Sequence, residues 1–149
     1  MKNLSLPLKS GLLMGAVLIA FFLIASIFQL HTKPYFSLFN ALVLAIGIFK
    51  TIQSVKENDA PFEYYKGFGL GVISGFIATL VFTIFFVLYA TEIAPNFLFE
   101  LVSVFKDDYN VHVGLVAFAV AIMGFSSSII LTLSCMQLLK NPTHAIQKA

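Results

Sequence analysis

Three groups of residues in this chain have the types and spacing that chemistry requires. The stretch EYYKGFGLGVISGFIATL, residues 63–80, sets Gly67, Gly69, Gly71 and Gly75 within nine positions. Gly69, Gly71 and Gly75, with Glu92 downstream, are spaced much as a dinucleotide-binding turn and its ribose-binding acid would be. His31, His112, Glu92, Asp107 and Asp108 offer imidazole and carboxylate donors, which suit zinc and similar divalent ions. Ser126, Ser127 and Ser128 present three consecutive hydroxyls that a neighbouring base would turn into nucleophiles. The elements that hold these residues decide which of the three readings survives.

Those elements are greasy. Of 149 residues, 59% are apolar and only 11% are charged, and the mean hydropathy is +0.94, which is a membrane composition. The net charge of +2 comes from nine lysines, no arginine and seven acids, so no concentrated basic face suggests nucleic acid. A single cysteine, Cys135, excludes an intrachain disulfide, a C-x-x-C redox pair and a cysteine-built zinc site. Uncharged runs of twenty-one residues separate Lys9 from His31, sixteen separate Lys33 from Lys50, and twenty-five separate Lys66 from Glu92. Between Asp108 and Lys140 lie thirty-one residues in which only His112 is ionisable near neutrality. Since a helix needs about 20 residues to cross roughly 30 Å of hydrocarbon, the runs predict four spans, near 11–30, 35–55, 68–90 and 113–139. We therefore expect an all-α, four-helix transmembrane bundle forming a single integral membrane domain over 1–149. The second span crosses with Lys50 snorkelling to the headgroups, and the fourth is long enough to tilt or project. The first run is too long for the apolar part of a cleaved signal peptide and lacks a clean A-x-A site. Pro34 suits the first turn of the second helix, where its missing N–H costs nothing.

Lysine placement orients the bundle. With the N-terminus cytoplasmic, Lys2, Lys9, Lys50, Lys56, Lys66, Lys140 and Lys148 lie inside and only Lys33 and Lys106 outside, as the positive-inside rule prefers. Both termini are then cytoplasmic. Tyr35, Tyr89 and Tyr109 at outer ends, and Tyr64 and Tyr65 at an inner end, are expected at the interface with their hydroxyls in water.

This placement disposes of the nucleotide reading. A dinucleotide fingerprint needs a buried strand before its glycines, whereas KENDAPFEYYK is polar and an uncharged run long enough to span follows. No nucleotide is expected. Gly67, Gly71 and Gly75, continued by Thr79 and Thr83, instead form a four-residue stripe that lets another helix approach closely, which matters in lipid because tails give helices no hydrophobic reason to associate. Gly11 and Gly15, continued by Ala16 and Ala20, make a second stripe. Gly114, Ala117, Ala121, Gly124, Ser128 and Cys135, at heptad-like steps, make a third. Lys9 with Gly11 and Gly15 also parallels Lys66 with Gly67 and Gly71, a faint sign of a duplicated hairpin.

Little remains for catalysis. No acid lies in a span core, so a proton-coupled carrier lacks its embedded charge. No histidine or acid stands beside the serines, which are read as bonding to carbonyls one turn earlier or to neighbouring helices; Asn40 is read as polar glue. On the outer side, Asn96 caps a short segment whose Phe97, Leu101, Val104 and Phe105 share one face, suited to lying on the membrane boundary. A metal site there would draw on His31, His112, Glu92 and Asp108; His144, in the polar tail, is excluded by the topology. The mixed charges Lys56, Glu57, Asp59 and Glu63 read as a solvated inner link.

The third span, YYKGFGLGVISGFIATLVFTIFFVLY, entered from a polar loop and followed by APNFL, resembles the small bacterial membrane family catalogued as domain of unknown function 4199, over roughly residues 9–140. APFEYYKG departs from that family's more usual glycine- and glutamine-containing entry. The resemblance implies a multi-pass protein of the bacterial cytoplasmic (inner) membrane and carries over no catalytic residue. The expected role is non-enzymatic: an accessory or structural subunit needing no cofactor, whose partners are the lipid bilayer and another membrane protein or itself. The alternative is an oligomeric channel or transporter for a neutral or lipid-like solute along the Ser/Thr face of the third and fourth spans.

Overall fold

A computed structural model describes residues 5–28, 34–58, 63–93, 96 and 112–139. Four long helices account for nearly all of these residues: α1 (Ser5–Ile27), α2 (Pro34–Asn58), α3 (Tyr64–Leu88) and α4 (Val113–Leu138). A π-helical turn, Tyr89–Ile93, prolongs α3. The helices hold 23, 25, 25 and 26 residues, so each rises about 35–39 Å and exceeds a hydrocarbon core of about 30 Å. All four are long and apolar enough to cross a membrane.

Two ends run further than the charge-free runs suggest. α1 begins at Ser5 rather than near residue 11, with Pro7 in its first turn, where a missing N–H breaks no helical bond. Lys9 lies on its exposed side, so the charge does not end the helix. α2 likewise continues through Lys50 and Lys56 to Asn58. Its polar last turns are supported by hydrogen bonds from Gln53 Nε2 to Glu57 Oε1 at 2.9 Å and from Asn58 Nδ2 to the Ser54 carbonyl at 2.6 Å.

Contacts set the directions. Met14 lies against Gly47 and Phe21 against Phe39, so α1 and α2 are antiparallel. Ile52 approaches Gly71 and Ile48 approaches Gly75, which makes α2 antiparallel to α3. Gly71 faces Thr132, Gly75 faces Ser128, and Thr79 faces Gly124, a register that advances four residues on α3 and retreats four on α4. α1 and α3 run parallel, with Gly11 beside Ser74 and Ile77, Gly15 beside Ala78 and Val81, and Phe22 beside Phe86 and Tyr89. The start of α1 and the end of α4 consequently share one end of the bundle.

α3 is the hub. It packs on all three other helices, most extensively on α1 and α4, while α2 fits between α1 and α4. The core divides by height. In the half nearer the start of α1, Met14, Leu18, Leu44, Ile48, Ile52, Ala78, Cys135 and Met136 form an aliphatic and sulfur cluster. In the opposite half, Phe22, Phe86, Tyr89 and Ala90 form an aromatic one, with the Phe22 ring edge-on to Tyr89 at 5.0 Å.

Candidate functional site

The α3 stripe is where the small residues meet other helices. Gly67, Gly71, Gly75 and Thr79 are buried. A Cβ added to Gly71 would stand 2.6 Å from Thr132 Cγ2 and 3.1 Å from Ile52 Cδ1; one added to Gly75 would stand 2.7 Å from Ser128 Cβ and Oγ. Gly67 sits in the first turn, where its N–H reaches the Glu63 carbonyl at 3.1 Å. On the opposite flank, a Cβ at Gly11 would stand 2.7 Å from the Ser74 carbonyl oxygen, and one at Gly15 would stand 2.9 Å from Val81 Cγ1. Gly69 is open, with nothing within 4 Å.

The hydroxyls of this region turn back on their own helices. Ser74 donates to the Gly71 carbonyl at 2.9 Å, Thr79 to Gly75 at 2.9 Å, Ser128 to Gly124 at 2.8 Å and Thr132 to Ser128 at 2.7 Å. These four donors are satisfied without a partner helix, so in these layers α3 and α4 approach through small groups. The same device appears on α2, where Thr51 donates to the Gly47 carbonyl at 2.8 Å.

Several expectations need correction. Ala16 and Ala20 are exposed, and α1 buries Gly11, Met14, Gly15, Leu18, Phe22 and Ala25 instead. Five residues advance a helix by about 500°, so Ala16 cannot share a face with Gly11. On α4 the buried residues are Ala117, Ser128, Thr132, Cys135 and Met136; Ala121 and Gly124 are half-buried, the latter against Thr79. Gly114 is exposed, and a Cβ there would meet nothing within 4 Å: in this part of α4 it is Val113 and Val116 that pack against the cluster of Phe22, Phe86, Tyr89 and Ala90. Tyr89 does not hold its hydroxyl in water. The ring is buried and its hydroxyl shares a hydrogen bond with Ser26 Oγ of α1, which supplies the polar partner that an interfacial tyrosine would take from solvent. Tyr64 and Tyr65 are exposed at the other end.

Two contacts were not anticipated. Gly47 is an isolated glycine with no repeat to mark it, yet it makes the notch that receives Met14; the Gly47–Thr51 pair at i, i+4 was the available signal. Lys56 Nζ donates to the Leu139 carbonyl at 2.7 Å, placing a cation on the carboxyl end of α4, where the helix dipole favours it.

Of the outer metal set, Glu92 and His112 are exposed, at the end opposite Lys9; His31 and Asp108 lie outside the described residues. Among the described residues no group of three or more His, Cys, Asp or Glu side chains is placed to hold a metal ion. The segment bearing Phe97, Leu101, Val104 and Phe105 also lies outside them, although Asn96 stands in an exposed turn.

The family described as Protein of unknown function (DUF4199) matches residues 9–141, a stretch that includes all but the first turn of α1 and the whole of the other three helices. The chain belongs to this family. No curated protein and no solved structure matches it. Membership accords with four apolar helices and brings the chain no assigned activity.

Proposed function

We propose that this DUF4199 member is a non-enzymatic subunit or scaffold of the bacterial cytoplasmic membrane, with both termini in the cytoplasm and α4 as its assembly face. The observation that carries the reading is the lopsided burial of the spans. Only 11% of the most apolar stretch of α4 is buried, against 28–33% for the other three. Leu115, Phe118, Met123, Ile130 and Leu138 are each more than 60% exposed, on a helix whose contacts with α2 and α3 leave these side chains uncovered. α4 is thus the span with most surface to offer another chain.

The proposed orientation is supported by Lys9, Lys50, Lys56 and Lys66, which fall in the half of the bundle where α1 begins; the positive-inside preference makes that half cytoplasmic. Back-bonding by Ser74, Thr79, Ser128 and Thr132 favours cohesion over solute passage, because their protons are already committed. The test is a quantitative pull-down of the full chain from native membranes, repeated with Phe118 and Met123 changed to Trp on the exposed α4 face. A stoichiometric membrane partner that the paired substitution displaces supports the reading. A partner retained at full occupancy, or a chain recovered only with lipid and as a single copy, defeats it.

A further inference from the structure

Among the described residues, two buried side-chain polar atoms have no hydrogen-bond partner: Asn40 Oδ1 on α2 and Thr83 Oγ1 on α3. They are related by the helix register. Ile52 meets Gly71 and Ile48 meets Gly75, so two further steps of four residues, back along α2 and forward along α3, bring Asn40 level with Thr83. The intervening step pairs Leu44 with Thr79, both buried. Thr83 also breaks the local habit, since Thr79, Ser128 and Thr132 all donate to a carbonyl one turn earlier.

Within a bilayer neither atom can turn to bulk water, and a buried polar atom without a partner is costly. The Asn40 amide oxygen only accepts, whereas the Thr83 hydroxyl also has a hydrogen to give. A water molecule does both, and buried waters characteristically join otherwise unsatisfied polar groups. We infer that Asn40 and Thr83 form an internal site between α2 and α3 for a single water molecule, which accepts the Thr83 hydroxyl hydrogen and donates one of its own to Asn40 Oδ1. The aromatic cluster of Phe22, Phe86 and Tyr89, with Phe82 packed against it, lies in the same half of the bundle. The inference requires only that the bundle span a bilayer; it is independent of any partner at α4.

The test is water-edited solid-state NMR on the full chain in lipid bilayers, combined with a stability cycle. Magnetisation transfer from water should build up several-fold faster at Thr83 and at the Asn40 side-chain amide than at Leu44 and Thr79, one turn away. Thr83→Val, which keeps the side-chain shape, should slow the transfer at Asn40. Asn40→Leu and Thr83→Val should each lower the unfolding midpoint, and the double variant should lose less than the two single losses combined. Additive losses, or transfer no faster than at Leu44, would overturn the site. So would coupled losses without water transfer, because they indicate a direct Thr83-to-Asn40 hydrogen bond. If Asn40→Leu does not fold, the transfer at Asn40 in Thr83→Val decides.

Discussion

Adding one methyl group at Gly75 is the sharpest test of close helix approach. In Gly75→Ala the new Cβ would stand 2.7 Å from Ser128 Cβ, about 0.7 Å short of the 3.4 Å at which ordinary contact begins, and 3.3 Å from Ile48 Cδ1. Ile48 Cδ1 is the tip of a flexible side chain and can yield. Ser128 Cβ is fixed to its backbone, so α4 itself must move. That movement loosens the layers on either side, where Gly71 meets Thr132 and Thr79 meets Gly124. Overpacking of this kind costs about 1–3 kcal/mol, whereas removing a helical glycine returns at most about 1 kcal/mol; the net expectation is a loss. Gly69→Ala is the internal control, since it carries the same propensity gain with nothing within 4 Å, and should be neutral to about 1 kcal/mol more stable. Ser128→Gly removes the obstructing Cβ and should recover most of the Gly75→Ala loss in the double variant. Reversible unfolding in mixed micelles, or steric trapping in bilayers, measures all four proteins. Equal stability of Gly75→Ala and Gly69→Ala, or no recovery with Ser128→Gly, would refute the reasoning.

Further outcomes follow from the same geometry. Gly11→Ala should be worse tolerated than Gly47→Ala, because the first meets the Ser74 carbonyl oxygen and Ile77 Cβ while the second meets the movable side chain of Met14; expression and midpoint of the two variants check the order. Tyr89→Phe keeps the ring on Phe22 but deletes the bond to Ser26, and should cost about 1 kcal/mol. Tyr89→Phe in a Ser26→Ala background, where the bond is already gone, should cost nearly nothing more, as a double-mutant cycle will read. Lys56→Met should leave global stability nearly unchanged but speed amide exchange in the last turn of α4, whose Leu139 carbonyl it caps. Reporter fusions or cysteine labelling at the two ends of the chain should both report the cytoplasm.

Much of the architecture is legible in the sequence, and the reason is the solvent. A bilayer obliges each crossing segment to satisfy its own backbone, so uncharged runs of sufficient length specify helices, their number and the alternation of their directions. Helix ends were less legible: α1 begins before Lys9, and α2 runs beyond residue 55 to Asn58. The candidate stripes were legible in proportion to their periodicity. Gly67, Gly71, Gly75 and Thr79 share one face by their spacing, and the structure buries all four. Gly114 extends an equally regular pattern and remains exposed, while the adjacent Val113 packs against the aromatic cluster; spacing groups residues on a face but does not say which of them a neighbour meets.

Composition and the placement of lysines, read alone, were enough to specify four apolar helices with polar ends and no ionised acid in a span core. Tertiary structure alone decided that α3 is the hub, that Met14 enters Gly47, that Tyr89 turns inward to Ser26, and that Asn40 Oδ1 and Thr83 Oγ1 are buried without a hydrogen-bond partner. The division has a physical cause. Transfer into lipid depends on each residue's own chemistry and is local to the chain, whereas helix association depends on which small residue on one helix stands opposite which side chain on another.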